Sequence, residues 1–374
     1  MNELASIRIF HTGDFHLDSP FSALDVKQSD LRREEHREIF ASALQRAVDE
    51  GCKIILISGD LFDCGYVSTE TVNTVFGAIE RCPIPVVLSP GNHDPFTEGG
   101  IYAKKSLPKN LFVFKSEELS YFDFDELSVR VFGYAFTSNR YPRNPLDHPY
   151  ELKEGYLNIL CAHSELDEPI PRFAPINRAQ LGNSGFDYVA LGHVHLHDQP
   201  QKVGSTTYCY AGFAVGRSFD ELGFGRALLV DIERDSSAVS VSPVILSDKR
   251  YAIEKLDVSG SEQFSDVTEK IASLVSSLGY GKETYLRIIL GGVVSPKLVI
   301  SSVDPERFGL SLLQLLDNTL PLLDSDYLQS DISLKGALYR ELLPKLRSEN
   351  ERERKIASEA LLIGLSALEG KSFM

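Results

Sequence analysis

The sequence predicts a mixed α/β fold, and three observations carry that prediction. Apolar, strand-like runs alternate with amphipathic helices along the first hundred residues. Several of the runs are apolar throughout, as strands of a parallel sheet buried on both faces are. Each run also ends in a short cluster of Asp, Asn or His, where open α/β sheets place their ligand sites.

Ile7–Phe10 reads as the first strand and leads into His11-Thr12-Gly13-Asp14-Phe15-His16. Residues 30–49 carry Leu31, Ile39, Phe40, Ala43, Leu44 and Ala47 at helical spacing, and Gly51 follows as a stop. Lys53–Ser58 is a continuous strand that delivers Asp60 and Asp63. Thr69–Arg81 forms a second helix with Val72, Val75, Phe76 and Ile79 on one face, closed by Pro83 and Pro85. Pro85–Leu88 then delivers Asn92, His93 and Asp94. Strand, cluster, helix, strand, cluster is the pattern of a sheet with helices outside it.

Beyond Leu111 strands dominate. Leu127–Ala135 and Leu157–Cys161 are two, the second delivering His163. The Pro-rich stretch Glu165–Ala179 reads as a loop bordering a groove. Asp187–Leu191 delivers Gly192-His193-Val194-His195, and strands at Tyr208–Ala211, Arg226–Ile232 and Val239–Leu246 complete this half. A polar link, Ser247–Arg250, sets a domain boundary at 248. After it come a strand at Tyr251–Val258, a helix with Val267, Ile271, Leu274, Val275 and Leu278 on one face, a strand at Thr284–Leu290 and a short strand at Leu298–Ile300. Residues 334–374 read as mostly helical, and Arg347–Lys355, which alternates in sign, as a solvated helix face. The expected division is thus 1–248, 249–333 and 334–374.

Composition narrows the class. At 374 residues, with 43% hydrophobic and 24% charged residues, the chain is ordinary for a globular protein with a large and a smaller domain. No apolar stretch reaches membrane-span length, and Met1–Ser6 has no leader-like pattern, so a cytoplasmic location is expected. The five cysteines form no CxxC pair, which argues against a thiolate zinc site or a disulfide framework, and Cys64 reads as a small filler beside Asp60. The net charge of −15 means that any DNA contact has to be local or shared with a partner.

Asp14, His16, Asp60, Asn92, His163, His193 and His195 together offer the N and O ligands that two neighbouring divalent cations need. Such a pair clamps a phosphoryl group, generates hydroxide near neutral pH and stabilises attacking and leaving oxygens. His and carboxylate without Cys suits Mn²⁺, Fe²⁺ or Zn²⁺ rather than Ca²⁺.

The order D-x-H, G-D-x-x-D, G-N-H-D, H, G-H-x-H over residues 14–195 resembles the signature of calcineurin-like metallophosphoesterases. Within that family, His11–Phe21, Phe186–His195, the stretch Tyr210–Gly223 with Gly216-Arg217-Ser218-Phe219-Asp220-Glu221-Leu222-Gly223, and Leu362–Leu368 resemble the bacterial SbcD/YhaO-type DNA repair exonuclease subunits. The resemblance implies a four-layer αββα sandwich with a small C-terminal β-α-β cap domain and a helical tail. It implies a two-metal centre, usually Mn²⁺, with Asp14, His16, Asp60 and His195 on one ion and Asp60 bridging to a second held by Asn92, His163 and His193. His93 would assist the leaving oxygen, and Asp94 would orient His93. DNA and an SMC-like ATPase of the SbcC or YhaN type are the implied partners, with a homodimer as a candidate assembly. Asp63 stands where the eukaryotic double-strand-break nuclease commonly has His, and Gly13 replaces the usual Ala.

Other polar residues have plainer readings. His11 is a packing or supporting residue, His197 a rim residue, and His36 and His148 are solvated. Arg172, Arg178, Arg217, Arg226, Arg140, Arg143, Lys104 and Lys105 read as surface charges or ion-pair partners, with a phosphate groove as the alternative. The expected function is metal-dependent phosphodiester hydrolysis, of DNA in repair, by two-metal hydroxide attack. The alternatives are a small phosphodiester, nucleotide or phosphoprotein as substrate, or a scaffold for the ATPase.

Overall fold

The computed structural model describes residues 6–22, 25–63, 67–104, 106–295, 297–322 and 325–368. These divide into two compact units, Met1–Asp248 and Lys249–Met374.

In the first unit the elements run β1 (Ser6–Thr12), α1 (Val26–Asp49), β2 (Ile54–Ile57), α2 (Thr69–Arg81), β3 (Val86–Leu88), α3 (Ile101–Lys104), β4 (Leu111–Val113), β5 (Ser120–Phe124), β6 (Val129–Gly133), β7 (Leu157–His163), α4 (Arg178–Gly182), β8 (Tyr188–Gly192), β9 (Gln201–Val203), β10 (Thr206–Tyr210) and β11 (Gly223–Glu233). A further strand, β12 (Val239–Asp257), starts here and continues into the second unit. One sheet has the order β12-β11-β1-β2-β3-β4, and the other β5-β6-β7-β8-β10-β9. Parallel pairing joins β1 through β4 in the first and β6, β7, β8 and β10 in the second.

Side-chain alternation along these strands builds the layers. Phe10, Ile55 and Ile57 face one way and pack with Phe40, Leu44, Val72 and Ile79 of α1 and α2. Ile7, Ile9, Ile54 and Leu56 face the other way, against Val129, Val131, Ile159 and Ala190 of the second sheet. The outer side of that sheet, with Phe132, Leu160, Val189 and Leu191, is covered by Tyr134, Phe136, Ile176, Leu181 and Phe186. The result is a mixed α/β sandwich of two face-to-face sheets, whose outermost layer is mostly loop around the short α4. Because the strands are buried on both faces, the clustered His and Asp sit in the loops at the strands' carboxyl ends.

Helix α1 is longer than residues 30–49; Phe40, Ala43, Leu44 and Ala47 face inward as expected, but its first turns differ. Asp25 caps it, accepting a bond from Gln28 N, and Leu31 is exposed while Arg32 and His36 are buried. His36 is therefore not solvated; its ring meets Phe21 edge-on at 5.1 Å. Four cysteines (Cys52, Cys82, Cys161 and Cys209) are buried, and burial pushes the Cys52 and Cys209 thiols up to about 12, far from a reactive thiolate. Cys64 lies outside the described residues.

In the second unit, the later half of β12 pairs in parallel with β13 (Thr284–Gly291) through α5 (Phe264–Leu278), forming a β-α-β unit. Gln263 and Asp266 form a capping box at the start of α5, and Gly279 ends it at φ +63°. Ser247–Arg250 is not a link: β12 runs through it, and Arg250 bonds Glu283 and Thr284. A two-residue strand, β14 (Val293–Val294), follows. Leu298–Ile300 is not a strand, because Leu298 N turns back to Ser295 O. Instead β15 (Leu312–Asp317) adds a third parallel strand beside β13, and β16 (Leu320–Pro321) pairs with β14. The chain continues as α6 (Ser325–Ser330), α7 (Leu334–Leu346) and α8 (Glu351–Leu368), gathered around Leu328, Tyr339, Leu361 and Leu365. No helix among the described residues is long and apolar enough to cross a membrane.

Candidate metal centre

The loops after β1 and β2 are laced together backbone to backbone. Asp14 N donates to Gly59 O (3.0 Å), His16 N to Asp60 O (2.9 Å) and Asp63 N to Leu17 O (2.9 Å). This lacing holds Asp14, His16 and Asp60 in the left-handed region at φ +50°, +46° and +48°, and His193 sits at φ +96°. Non-glycine residues there cost about 1–3 kcal/mol each and persist where the surroundings fix them, as they do at functional sites. The consequence is directional, since each strand end turns its side chain into one common space.

Three groups form there, two of them made of expected ligands alone. Asp14, His16 and His195 bring ligand atoms within 4.8 Å of one another, and so do Asp14, Asp60 and His163. His16 Nε2 and His195 Nε2 face each other at 3.1 Å, and His195 Nε2 is 3.5 Å from Asp14 Oδ1. His163 Nε2 is 2.9 Å from Asn92 Oδ1. Asp60 Oδ2 lies between the groups, 3.6 Å from His16 Nε2 and 3.3 Å from His163 Nε2. His163 Nδ1 donates to Ser58 O at 2.9 Å, which aims the other nitrogen at the site.

His193 is placed differently from the other expected ligands. Its ring rests against His163 (5.0 Å between centroids) and Phe173 (4.6 Å), and no group includes it. His93, by contrast, makes the third group, with His16 and Asp60.

Asp94 does not orient His93. Its buried carboxylate is occupied by Leu61 N, Phe62 N, Gly91 N and the Tyr102 hydroxyl. Burial, with Asp60's charge added, raises it to about 7. The partner of His93 is Asp63, whose Oδ1 accepts from His93 Nδ1 at 2.8 Å. Asp63 is visible in G-D-x-x-D, but only the fold brings it to a ring thirty positions on. A second partner that sequence reasoning passed over is Glu221, whose Oε1 accepts from His195 Nδ1 at 2.8 Å.

Asp14 and Asp60 are almost wholly buried, and two carboxylates in such a place need positive charge beside them. Burial pushes the His163 and His195 imidazoles down, but Asp60 beside the first, and Asp14 and Glu221 beside the second, outweigh it. They rise to about 9 and about 10. His193, with burial and the charge of His163 against it, falls to about 4. Two imidazole nitrogens facing each other at 3.1 Å, two buried carboxylates and an amide oxygen form a hard and borderline donor set. It fits divalent cations such as Mn²⁺, Fe²⁺ or Zn²⁺.

Glycine keeps the space open. A Cβ on Gly91 would lie 2.2 Å from Asp60 Oδ1 and 2.7 Å from Asp60 N. Gly91→Ala is therefore expected to push Asp60 aside and destabilise the chain by about 1–3 kcal/mol. Thermal unfolding and Mn²⁺ titration of that variant check this, with metal affinity lowered as well as Tm.

The other polar residues have structural partners. His11 lies between the sheets, bonding Tyr188 Oη (2.9 Å) and Ser58 Oγ (3.2 Å), and His197 stacks on Phe213. Arg226 donates to Asp198 O and Ala211 O, Arg178 pairs with Asp167, and Arg143 with Glu117.

A sandwich of two sheets with Asp and His converging at its strand ends defines a metallophosphoesterase. Residues 7–197 match the family described as Calcineurin-like phosphoesterase, and the chain belongs to that family. Its relatives include the "Uncharacterized metallophosphoesterase YhaO" of Bacillus subtilis (strain 168), 26% identical over 77% of this chain and 72% of that protein. The D component of the nuclease SbcCD of Staphylococcus epidermidis is 26% identical over 61% of this chain and 67% of its own. "DNA double-strand break repair protein Mre11" of Thermoplasma acidophilum is 25% identical over 71% of this chain and 72% of its own. The chain is a metallophosphoesterase similar to these, and its family binds divalent metals.

Proposed function

We propose that this chain is a metal-dependent phosphodiesterase acting on DNA, the nuclease component of a repair assembly. The observation that carries the reading is the single Asp60 oxygen set between His16 and His163, each backed by its own group of donors. Asp14, His16, Asp60 and His195 would hold one ion, and Asp60, Asn92 and His163 a second, with His193 completing it after a small ring movement. Manganese is the ion proposed, and a bound pair supplies Lewis acidity to the phosphoryl oxygens and to an attacking water.

The chain's own residues do the rest. Asp63 fixes the Nδ1 proton of His93 and leaves its Nε2 edge directed away from the carboxylate. That hydrogen bond holds the His93 pKa above its ordinary value, which suits a group that carries a proton to the leaving oxygen. Half-exposed, His93 reaches solvent and substrate, while Asp14, Asp60 and His163 do not. Asp94 has a supporting role instead, tying the loop after β3 to the backbone of Leu61 and Phe62.

DNA as substrate is supported by the SbcCD and Mre11 names among the relatives and by a second unit that a small-molecule phosphatase does not need. Residues 249–333 are proposed as a cap contacting DNA, and 334–374 as the docking element for an SMC-like ATPase. The acidic excess lies in residues 1–248, with 35 Asp and Glu against 22 Lys and Arg; 249–374 has 18 against 16. Part of the first excess is the buried Asp14, Asp60, Asp94 and Glu221.

The test is hydrolysis of linear duplex DNA, single-stranded DNA and an aryl phosphodiester by the purified chain with Mn²⁺. Degradation of DNA is the expected result. Turnover of the aryl diester with no DNA degradation would assign the site to small phosphodiesters.

Metal loading also has a predicted proton signature. His163 and His195 titrate near 9 and 10 without metal, so both carry a proton at pH 7, and binding through Nε2 must displace it. Mn²⁺ loading at pH 7 is expected to release up to about two protons per chain, with affinity falling as pH falls. Calorimetry in buffers of different ionisation enthalpy reads the number directly.

A further inference from the structure

The loop between Gly212 and Gly223 is adjacent to the centre but supplies none of its candidate ligands. It carries Arg217 and Glu221, both drawn inward. Glu221 is only 4% exposed, and Oε1 accepts both from His195 Nδ1 (2.8 Å) and from Arg217 Nη2 (2.6 Å). Its Oε2 accepts from Arg217 N at 2.8 Å. The guanidinium continues across the site, with Nη1 3.5 Å from Ser19 Oγ and 3.9 Å from Asp63 Oδ2. Ser19 Oγ in turn donates to Asp63 Oδ2 at 2.7 Å. One arginine thus lies between the carboxylate that holds His195 and the carboxylate that holds His93.

The loop is pinned rather than draped. Arg32 Nη2 of α1 donates to Gly216 O at 2.9 Å, Phe213 N to His195 O at 3.2 Å, and Glu221 N to Ser218 O at 3.1 Å. A buried ion pair adds little stability over apolar residues of the same size, so its presence here asks for a directional reason. The direction is legible at His195. A carboxylate accepts only, so the Nδ1 facing Glu221 must carry a proton, and Nε2 is the nitrogen left to bind an ion at the centre.

We infer that Glu221 is a positioning residue of the metal centre, locking the tautomer and ring angle of His195, and that Arg217 holds Glu221 in place while tying it to the Asp63–His93 pair. This rests on the metal-centre reading given above and adds to it a support that acts on one ion and not on the other, because His163 is oriented separately by Ser58 O.

The test is Mn²⁺ binding by calorimetry on the full-length chain. Wild type is expected to show two sites. In Glu221→Ala one site should weaken by roughly 10–100-fold, the range for a lost supporting partner of a ligating histidine, while the other holds. Glu221→Gln keeps an acceptor oxygen and should recover most of the loss, which a purely charge-based role would not allow. Glu221→Ala with both sites at wild-type affinity would overturn the inference, as would equal weakening of both. If Glu221→Ala does not fold, Arg217→Met carries the same test. It is expected to weaken the same single site, and unchanged affinity there would overturn the inference. Wild type that binds no Mn²⁺ overturns the metal-centre reading and this inference with it, whereas two sites untouched by these variants overturn the inference alone.

Discussion

Asp60→Asn is expected to abolish metal binding at both sites and to remove activity altogether. Asp60 Oδ2 lies within 3.6 Å of both His16 Nε2 and His163 Nε2, so both groups of donors draw on it. The amide is nearly the same size but neutral, and it leaves Asp14 as the one carboxylate among the proposed ligands where two divalent ions would need two. It also alters an anchor of the neighbouring loop, because Asp60 Oδ1 accepts from His93 N at 2.9 Å. The loss in kcat/KM should reach at least the roughly 10²–10⁴-fold that removal of a catalytic group costs. Atomic absorption on the dialysed variant, beside DNA hydrolysis, checks both halves. Retention of two ions by Asp60→Asn would remove Asp60 from its bridging place.

His93→Ala is expected to do the opposite with respect to metal. Its Nδ1 is engaged by Asp63, and its ring, beside His16 and Asp60, is partly open to solvent where those two are buried. Metal content should stay at the wild-type level while turnover falls by roughly 10²–10⁴-fold. A diester with a highly acidic phenol as leaving group needs little protonation, so the variant should lose much less activity on it than on DNA. Where His93 is the acid, activity on DNA falls as pH rises through its raised pKa, because the proton to be donated is then gone. His93→Ala should flatten that alkaline limb. Loss of an ion from His93→Ala would instead make His93 a ligand, in keeping with its place beside His16 and Asp60.

How much of this was legible in the sequence depends on distance along the chain. Lys53–Ser58 and Tyr188–Leu191 declare buried strands by composition alone, and their ends deliver Asp60, His193 and His195 directly. What holds those residues in place does not declare itself. Asp63 finds His93, and Glu221 finds His195, only because β-strands far apart in sequence end at one edge. Asp94, next to His93, looked the natural partner, but its side chain points the other way, into backbone N–H groups. His36 misleads for a related reason. Its neighbours Glu35 and Arg37 are charged, yet helical rotation turns it onto Phe21. In the second unit β15 is built of leucines, with no β-branched residue to mark a strand. Only pairing with β13 settles its state.

The central claim is that the carboxylates and imidazoles at these strand ends hold two ions and not one. The most direct measurement is the Mn²⁺-to-chain ratio at saturation, read by calorimetry and by elemental analysis of the same sample. The account predicts two ions per chain. A ratio of one, with wild-type activity on DNA, would contradict it.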